Sequence, residues 1–259
     1  MNCNNVSQKI SNWLTEKAKD ASVNGFVVGI SGGVDSALVS TLCAMTPLPV
    51  FVISMPIMQN KAELKRAKKH IAWLKASFPN VFDTDLNLTT PFKSFKKILF
   101  NAVPSGDLAD ANLRSRMRMS ALYWIANTWN LLVVGTGNKV EDGGVGFFTK
   151  YGDGGVDISP VGDLVKSEVR ELAAYLGVIP EIVTAKPTDG LWDDGRTDED
   201  QLGATYDELE WAMSYKDPDY DQFLTDRQKE VLRIYSNWHS KTAHKMNMPP
   251  ICRILQKDK

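Results

Sequence analysis

The stretch FVVGISGGVDSALVSTL, Phe26–Leu42, constrains this chain more than any other. Its first residues, 26–30, form a continuous apolar and β-branched run, the pattern of a strand covered on both faces. Gly32 and Gly33 then permit a tight turn, and Asp35 and Ser36 lead into an apolar helical segment. Strand, glycine turn and helix in that order make a cradle for phosphate. Backbone N–H groups come close to anionic oxygens where no side chain intervenes, and the positive end of the helix points at the same spot. Ser31 and Ser36 add hydroxyl donors. The loop has no lysine, the residue that usual phosphate loops carry, and holds Asp35 instead. A carboxylate repels a bare phosphate. It belongs there if Mg²⁺ lies between, because Mg²⁺ is usually held by one or two carboxylates together with substrate phosphates.

The rest of the chain alternates in the same way. Residues 50–55 and 131–135 read as further buried strands, and 81–86 as a weaker fourth. Residues 60–78 read as a helix with Leu64, Ala67, Ile71 and Leu74 on one face and Asn60 with Glu63 as a capping box. A longer helix covers 107–129. Another opens on Asp163 as N-cap, carries Val165, Val169, Leu172 and Leu176 on one stripe, and closes on Gly177. Val6, Ile10, Trp13 and Leu14 make an N-terminal amphipathic helix, suited either to a dimer contact or to packing within the chain. This β-α-β-α order predicts an α/β fold: a doubly wound, mostly parallel sheet with helices on both faces. No internal repeat or linker divides it, so residues 1–259 are expected to form one domain. Two long connections break the pattern, the glycine-rich 136–162 and the acidic 186–203. Connections of that length are often lids or binding loops.

Composition excludes some function classes. The formal net charge of −1 argues against a broad grip on nucleic acid. Three scattered cysteines, Cys3, Cys43 and Cys252, form neither a metal motif nor a disulfide framework, as expected in a reducing compartment. Residues 1–25 lack the apolar core of a signal peptide, and no run approaches the ~20 apolar residues of a membrane helix. A cytoplasmic protein without membrane partners is expected. The segment DGGVD (153–157) lacks the ligand spacing of a calcium loop, with Leu164 where its glutamate would stand.

The motif S-G-G-x-D-S after a first strand, here Ser31–Ser36, resembles the signature loop of the ATP pyrophosphatases. Those enzymes cleave ATP to AMP and pyrophosphate while activating a substrate oxygen as an adenylate. Within that group, GTGNKVEDGGVGFFTKYGDGGVDISPVGDLVKSEVRELAAYL (135–176) is similar to the ammonia-dependent NAD synthetases, and FFTKYGDGG is its most specific piece. The likeness runs from the N-terminal helix to TAHK near the end.

The resemblance implies an adenine nucleotide alpha hydrolase-like fold and assigns roles by position. ATP would contact Gly29, Ile30, Ser31, Gly32, Gly33, Val34, Asp35, Ser36, Thr136, Lys166 and Thr188. Mg²⁺ would be shared by Asp35 and Glu141. Deamido-NAD would contact Arg116, Lys150, Asp157, His244 and Lys245. Asp35, Ser36, Lys166 and Thr188 would carry catalysis by stabilising a leaving pyrophosphate. No nucleophilic side chain is needed. The implied reaction joins ammonia to deamido-NAD through an adenylated nicotinate, in a homodimer, and nicotinate mononucleotide is the alternative substrate. With 259 residues there is no room for a glutaminase domain beside this one, so free or separately supplied ammonia is expected. Two rivals are a tRNA-modifying pyrophosphatase, disfavoured by the net charge, and a non-catalytic ATP-binding sensor. Bland readings also stand. Glu141 could be an exposed loop charge, and Lys166 a solvated first-turn residue, although the start of a helix is a poor place for a cation. Asp193, Asp194, Asp198, Glu199 and Asp200 fit either a lid or a solvated loop. Arg114, Arg116 and Arg118 alternate on a helix, so the three cannot face one ligand.

Overall fold

In the computed structural model, which describes residues 1–104, 106–188, 190–191, 196–216 and 222–254, four parallel strands form the centre. They are β1 (Gly25–Gly29), β2 (Val50–Ser54), β3 (Val81–Asp85) and β4 (Leu131–Val133), in the spatial order β3-β2-β1-β4. Phe26 pairs with Val50 on one side and Leu132 on the other. The alternation of β1 is what makes it central. Phe26 and Val28 enter one apolar cluster, whereas Val27 enters a second on the opposite face. The expected fourth strand is real but lies at the edge, so only Val81 of its five residues is buried. That explains its weaker apolar signal.

Helices cover both faces. The first face holds α1 (Cys3–Asp20), α2 (Val34–Ala44), α3 (Lys61–Ser77), α6 (Lys166–Tyr175) and α7 (Pro180–Val183), which share a core with Phe26, Val28, Val50 and Val52. The amphipathic stripe of α1 settles here: Leu14 is fully buried, with Val6, Ile10 and Trp13 packed beside it. The second face is covered by α5 (Asp107–Trp129) through Leu122, Ile125 and Ala126, and α4 (Thr89–Ala102) packs against α5. A smaller cluster joins a π-helical turn (Lys139–Val145) to α8 (Asp198–Leu202), α9 (Tyr206–Ser214) and α10 (Asp226–Met246) through Val140, Leu202, Tyr206, Leu209 and Val231.

Two caps differ from expectation. Helix α6 begins at Lys166 rather than after Asp163. The Val165 N–H donates to Glu168 Oε2 at 3.0 Å, while Asp163 pairs with Lys139 at 2.8 Å. At α3, Asn60 caps by accepting from the Ala62 N–H at 2.8 Å, but Glu63 turns away and accepts from Thr188 and Gln59 instead. Gly177 follows α6 with φ +81°, as a C′ glycine should.

Candidate active site

The site lies beyond the carboxyl ends of β1, β2 and β4, where ligands gather in open α/β sheets. One cavity there is lined by Gly29, Ile30, Ser31, Gly33, Val34, Asp35 and Ser36 from the first loop, and by Thr136, Glu141, Lys166 and Thr188. All the residues expected to hold ATP and metal therefore surround one space, except Gly32. Gly32 is the turn-maker. Its φ is +91°, and a Cβ there would stand 2.4 Å from the Glu63 carbonyl oxygen. Only glycine lets the loop lie against α3 in this conformation. The Arg66 guanidinium fastens it by donating from Nε to the Gly32 carbonyl at 3.1 Å. Helix α2 starts at Val34, so Asp35 and Ser36 sit in its first turn. The Ser36 hydroxyl turns inward, donating to the Gly33 carbonyl at 3.1 Å and meeting Ser31 Oγ at 3.1 Å. Those contacts hold the loop's curvature.

The centre of the cavity is a charge cluster. Lys166 Nζ donates to Asp35 Oδ2 at 2.7 Å and to Glu141 Oε1 at 2.9 Å. Lys166 is 2% exposed, so the reading of it as a solvated first-turn residue is corrected. Burial alone would lower its pKa, but Asp35 and Glu141 outweigh that and hold it above the usual lysine value. Asn138, fully buried, links the Asp35 carboxylate to the backbone that carries Glu141. Its Nδ2 donates to Asp35 Oδ1 at 3.1 Å, and its Oδ1 accepts from the N–H groups of Val140 and Glu141 at 3.1 and 3.2 Å. It thus caps the π-helical turn that carries Glu141. The spacing Asn138-x-x-Glu141 matches a capping box, and that signal could have found it. Tyr206, at the start of α9, donates its hydroxyl to Glu141 Oε1 at 2.5 Å. Burial, with Glu141 and Asp198 nearby, pushes its phenol far up, so it stays a donor. Negative charge accumulates behind this cluster. Burial and the proximity of Glu141, Asp153 and Asp35 push the Asp142 carboxyl up to about 7.

The two carboxylates fit Mg²⁺. They converge on one cation position, which the Lys166 ammonium takes, and two carboxylates complete a Mg²⁺ shell only when phosphates join them. Among the described residues no group of three or more His, Cys, Asp or Glu side chains forms a cage for a metal by itself.

The five residues expected to hold the dinucleotide lie outside the cavity wall. Four gather at the 147–151 turn. Lys150 Nζ donates to the His244 and Asn247 carbonyls, and the Lys150 carbonyl faces the exposed Arg116 guanidinium at 3.4 Å. Lys245 Nζ donates to the Phe148 carbonyl at 2.6 Å. Asp157 stands apart at the end of β4, accepting from the Val133 N–H at 2.8 Å and the Tyr123 hydroxyl at 3.0 Å. Of the three alternating arginines, Arg118 reaches the cavity. It donates to the Met55 carbonyl at 3.0 Å and to Gln59 at 2.8 Å. Arg114 is buried and donates to the Leu191 carbonyl at 2.8 Å.

The segment 186–203 is partly built in. Thr188 donates to Glu63 Oε1 at 2.6 Å, and Asp198, 5% exposed, lines the cavity. Glu199 accepts from the Tyr206 N–H, and Asp200 pairs with Thr197 as a capping box. For Asp198 and Glu199 the solvated-loop reading is corrected, whereas Asp200 stays exposed on α8; Asp193 and Asp194 lie outside the described residues.

The model of a family described as NAD synthase matches residues 6–249. The NH(3)-dependent NAD(+) synthetase of Carboxydothermus hydrogenoformans is 38% identical over 254 residues, covering 97% of this chain and 98% of its own. Among solved structures, an NMN synthetase from Francisella tularensis is 30% identical with a TM-score of 0.87, covering 98% of this chain and 100% of its own. An NH3-dependent NAD synthetase from Campylobacter jejuni, in complex with the nitrate ion, is 29% identical with a TM-score of 0.80, covering 98% and 100%.

Proposed function

The chain belongs to the NAD synthase family, and from that premise we propose how its cavity performs the family's reaction. The protein is a carbon–nitrogen ligase that amidates deamido-NAD with ammonia, using ATP. The observation that carries the site assignment is the buried Lys166 ammonium held between Asp35 and Glu141 beside the 31–36 loop.

In this reading the ATP phosphates lie against the loop N–H groups. Asp35 and Glu141 would hold Mg²⁺, which when bound neutralises the phosphates and the departing pyrophosphate. Lys166 then leaves the carboxylates for the phosphate oxygens. A nicotinate carboxylate oxygen bonds to the α-phosphorus, and the bond from that phosphorus to the β-phosphate oxygen breaks, releasing pyrophosphate. Ammonia next bonds to the activated carbonyl carbon and loses a proton. The carbon–oxygen bond to AMP breaks, leaving the amide. Thr188 and Ser36 turn their hydroxyls from protein partners to phosphate. The 186–203 segment, fastened to Glu63 and Arg114, keeps water from the adenylate. Arg116, Lys150, Asp157, His244 and Lys245 form the dinucleotide rim.

Residues 1–259 act as one cytoplasmic domain in this reading, and among the described residues no helix is long and apolar enough to cross a membrane. A homodimer is supported by the apolar surface of α4 and α5, where Phe95, Ile98, Phe100, Val103, Leu108 and Trp124 are exposed. Nicotinate mononucleotide is a second reading, favoured by the likeness to the Francisella NMN synthetase. Turnover with ATP, Mg²⁺ and ammonia against each nucleotide separates them. NAD with equal AMP and pyrophosphate supports the first reading. Faster amidation of the mononucleotide replaces it with the second, and ADP from either sinks the chemistry. Wild-type rates in a folded Asp35→Ala variant would remove the metal role of Asp35.

A further inference from the structure

We propose that Tyr206, steadied by Asp198, is a positioning residue that fixes Glu141 for the incoming cation. The inference rests on the reading of Glu141 as a metal carboxylate and extends it to an element about 65 residues away in the chain.

The geometry is specific. The Tyr206 hydroxyl lies 2.5 Å from Glu141 Oε1 and 3.2 Å from Asp198 Oδ2. A phenol has one proton, and the shorter distance assigns it chiefly to Glu141. Glu141 Oε1 is thereby engaged by Tyr206 and Lys166 together. A carboxylate pinned through one oxygen presents the other in a defined direction. The phenyl ring does a second task, since Lys166 Nζ lies 4.6 Å from its centroid. One side chain thus touches both the carboxylate and the resident ammonium.

The ring is itself held rigidly. Tyr206 is 1% exposed and packs in the cluster of Val140, Val145, Leu209 and Val231. It is the first residue of α9, whose start is fixed by a Thr205–Glu208 capping box. Its own N–H donates to Glu199 at 3.1 Å. Glu199 and Asp198 both belong to α8, near the end of the 186–203 segment. The tyrosine therefore connects that segment to the charge cluster, and an apolar residue would fill its place equally well if packing were its only task.

The test compares Tyr206→Phe, Asp198→Asn and Glu141→Gln in the full chain. Mn²⁺ binding in the presence of ATP is read by electron paramagnetic resonance. The Mg²⁺ dependence of kcat and the KM for the nicotinate nucleotide are measured beside it, with melting temperature as the fold control. Loss of a group that orients a metal ligand typically weakens metal binding or activity about 10–100-fold. Tyr206→Phe is expected to raise the half-saturating Mn²⁺ and Mg²⁺ concentrations about 10-fold, with the nucleotide KM unchanged. Asp198→Asn should shift both the same way by less. A folded Tyr206→Phe with wild-type metal dependence overturns the proposal, and so does a lower kcat with metal dependence unmoved. If Tyr206→Phe does not fold, Asp198→Asn decides by the same criterion. Wild-type Mn²⁺ binding in Glu141→Gln defeats the reading of Glu141 and the proposal with it. Weak binding there with normal binding in Tyr206→Phe defeats the proposal alone.

Discussion

Replacing Lys166 by methionine removes the only positive charge bonded to Asp35 and Glu141 among the described contacts, while keeping most of the side-chain volume. Breaking a buried ion pair by deleting one partner costs roughly 3–5 kcal/mol, because the remaining charge is stranded. Here two carboxylates remain and repel each other. Their side chains are 18% and 15% exposed, so water screens part of the loss and the lower end applies. A destabilisation of about 3 kcal/mol corresponds to a fall in melting temperature of about 6–12 °C for a chain of this size. Turnover should fall about 100–1000-fold, the usual cost of losing one donor to developing charge. Differential scanning fluorimetry with steady-state rates checks both. The two effects should also respond differently to Mg²⁺ with ATP. Stability recovers, because a cation again sits between the carboxylates, while rate does not. A melting temperature within 1–2 °C of wild type, a window far smaller than the expected fall, would refute the charge-cluster argument.

Three other outcomes follow from particular contacts. His70 is fully buried, and burial lowers its imidazole from 6.5 to about 4. The folded pKa lies below the unfolded one, so its contribution is complete above pH 6.5 and is lost as pH falls towards 4, about 3 kcal/mol in all. Urea melts of wild type and His70→Gln across that window should diverge in slope; parallel profiles contradict it. Gly32→Ala places a Cβ 2.4 Å from the Glu63 carbonyl at a φ of +91°, and about 1–3 kcal/mol of strain should displace the loop. Calorimetry with a non-hydrolysable ATP analogue should show at least about 10-fold weaker binding, the equivalent of 1.4 kcal/mol, and unchanged affinity refutes it. Under the proposed homodimer, Ile98→Glu with Phe100→Glu should yield monomers in sedimentation velocity, and an intact dimer would remove α4 from the interface.

The first strand, loop and helix were legible because their determinants are local. A continuous β-branched run, two glycines and an apolar helix specify β1, the turn and α2 within 20 residues. Thr136, Glu141, Lys166 and Thr188 were placed only through resemblance, and they do meet around the cavity. Nothing near Lys166 in sequence announces its burial, since its partners lie 131 and 25 residues away. The start of α6 was misplaced because Asp163 is a good cap by type, whereas Glu168 satisfies the first N–H and Lys139 takes Asp163. The 136–162 segment read as a long glycine-rich connection, of the kind that forms lids or binding loops. It contains a π-helical turn anchored by Asn138, a geometry without a hydrophobic period to betray it. Tyr206 drew no attention in the sequence, and only the fold brings its hydroxyl to Glu141.

The central claim is that this cavity activates a nicotinate carboxylate by joining it to the α-phosphorus of ATP. Deamido-NAD labelled with ¹⁸O in its carboxylate tests that claim directly when it is turned over with ATP, Mg²⁺ and ammonia. Mass spectrometry of the products should find one labelled oxygen in AMP, the other in the amide, and none in pyrophosphate. Unlabelled AMP, or label in pyrophosphate, would contradict the account.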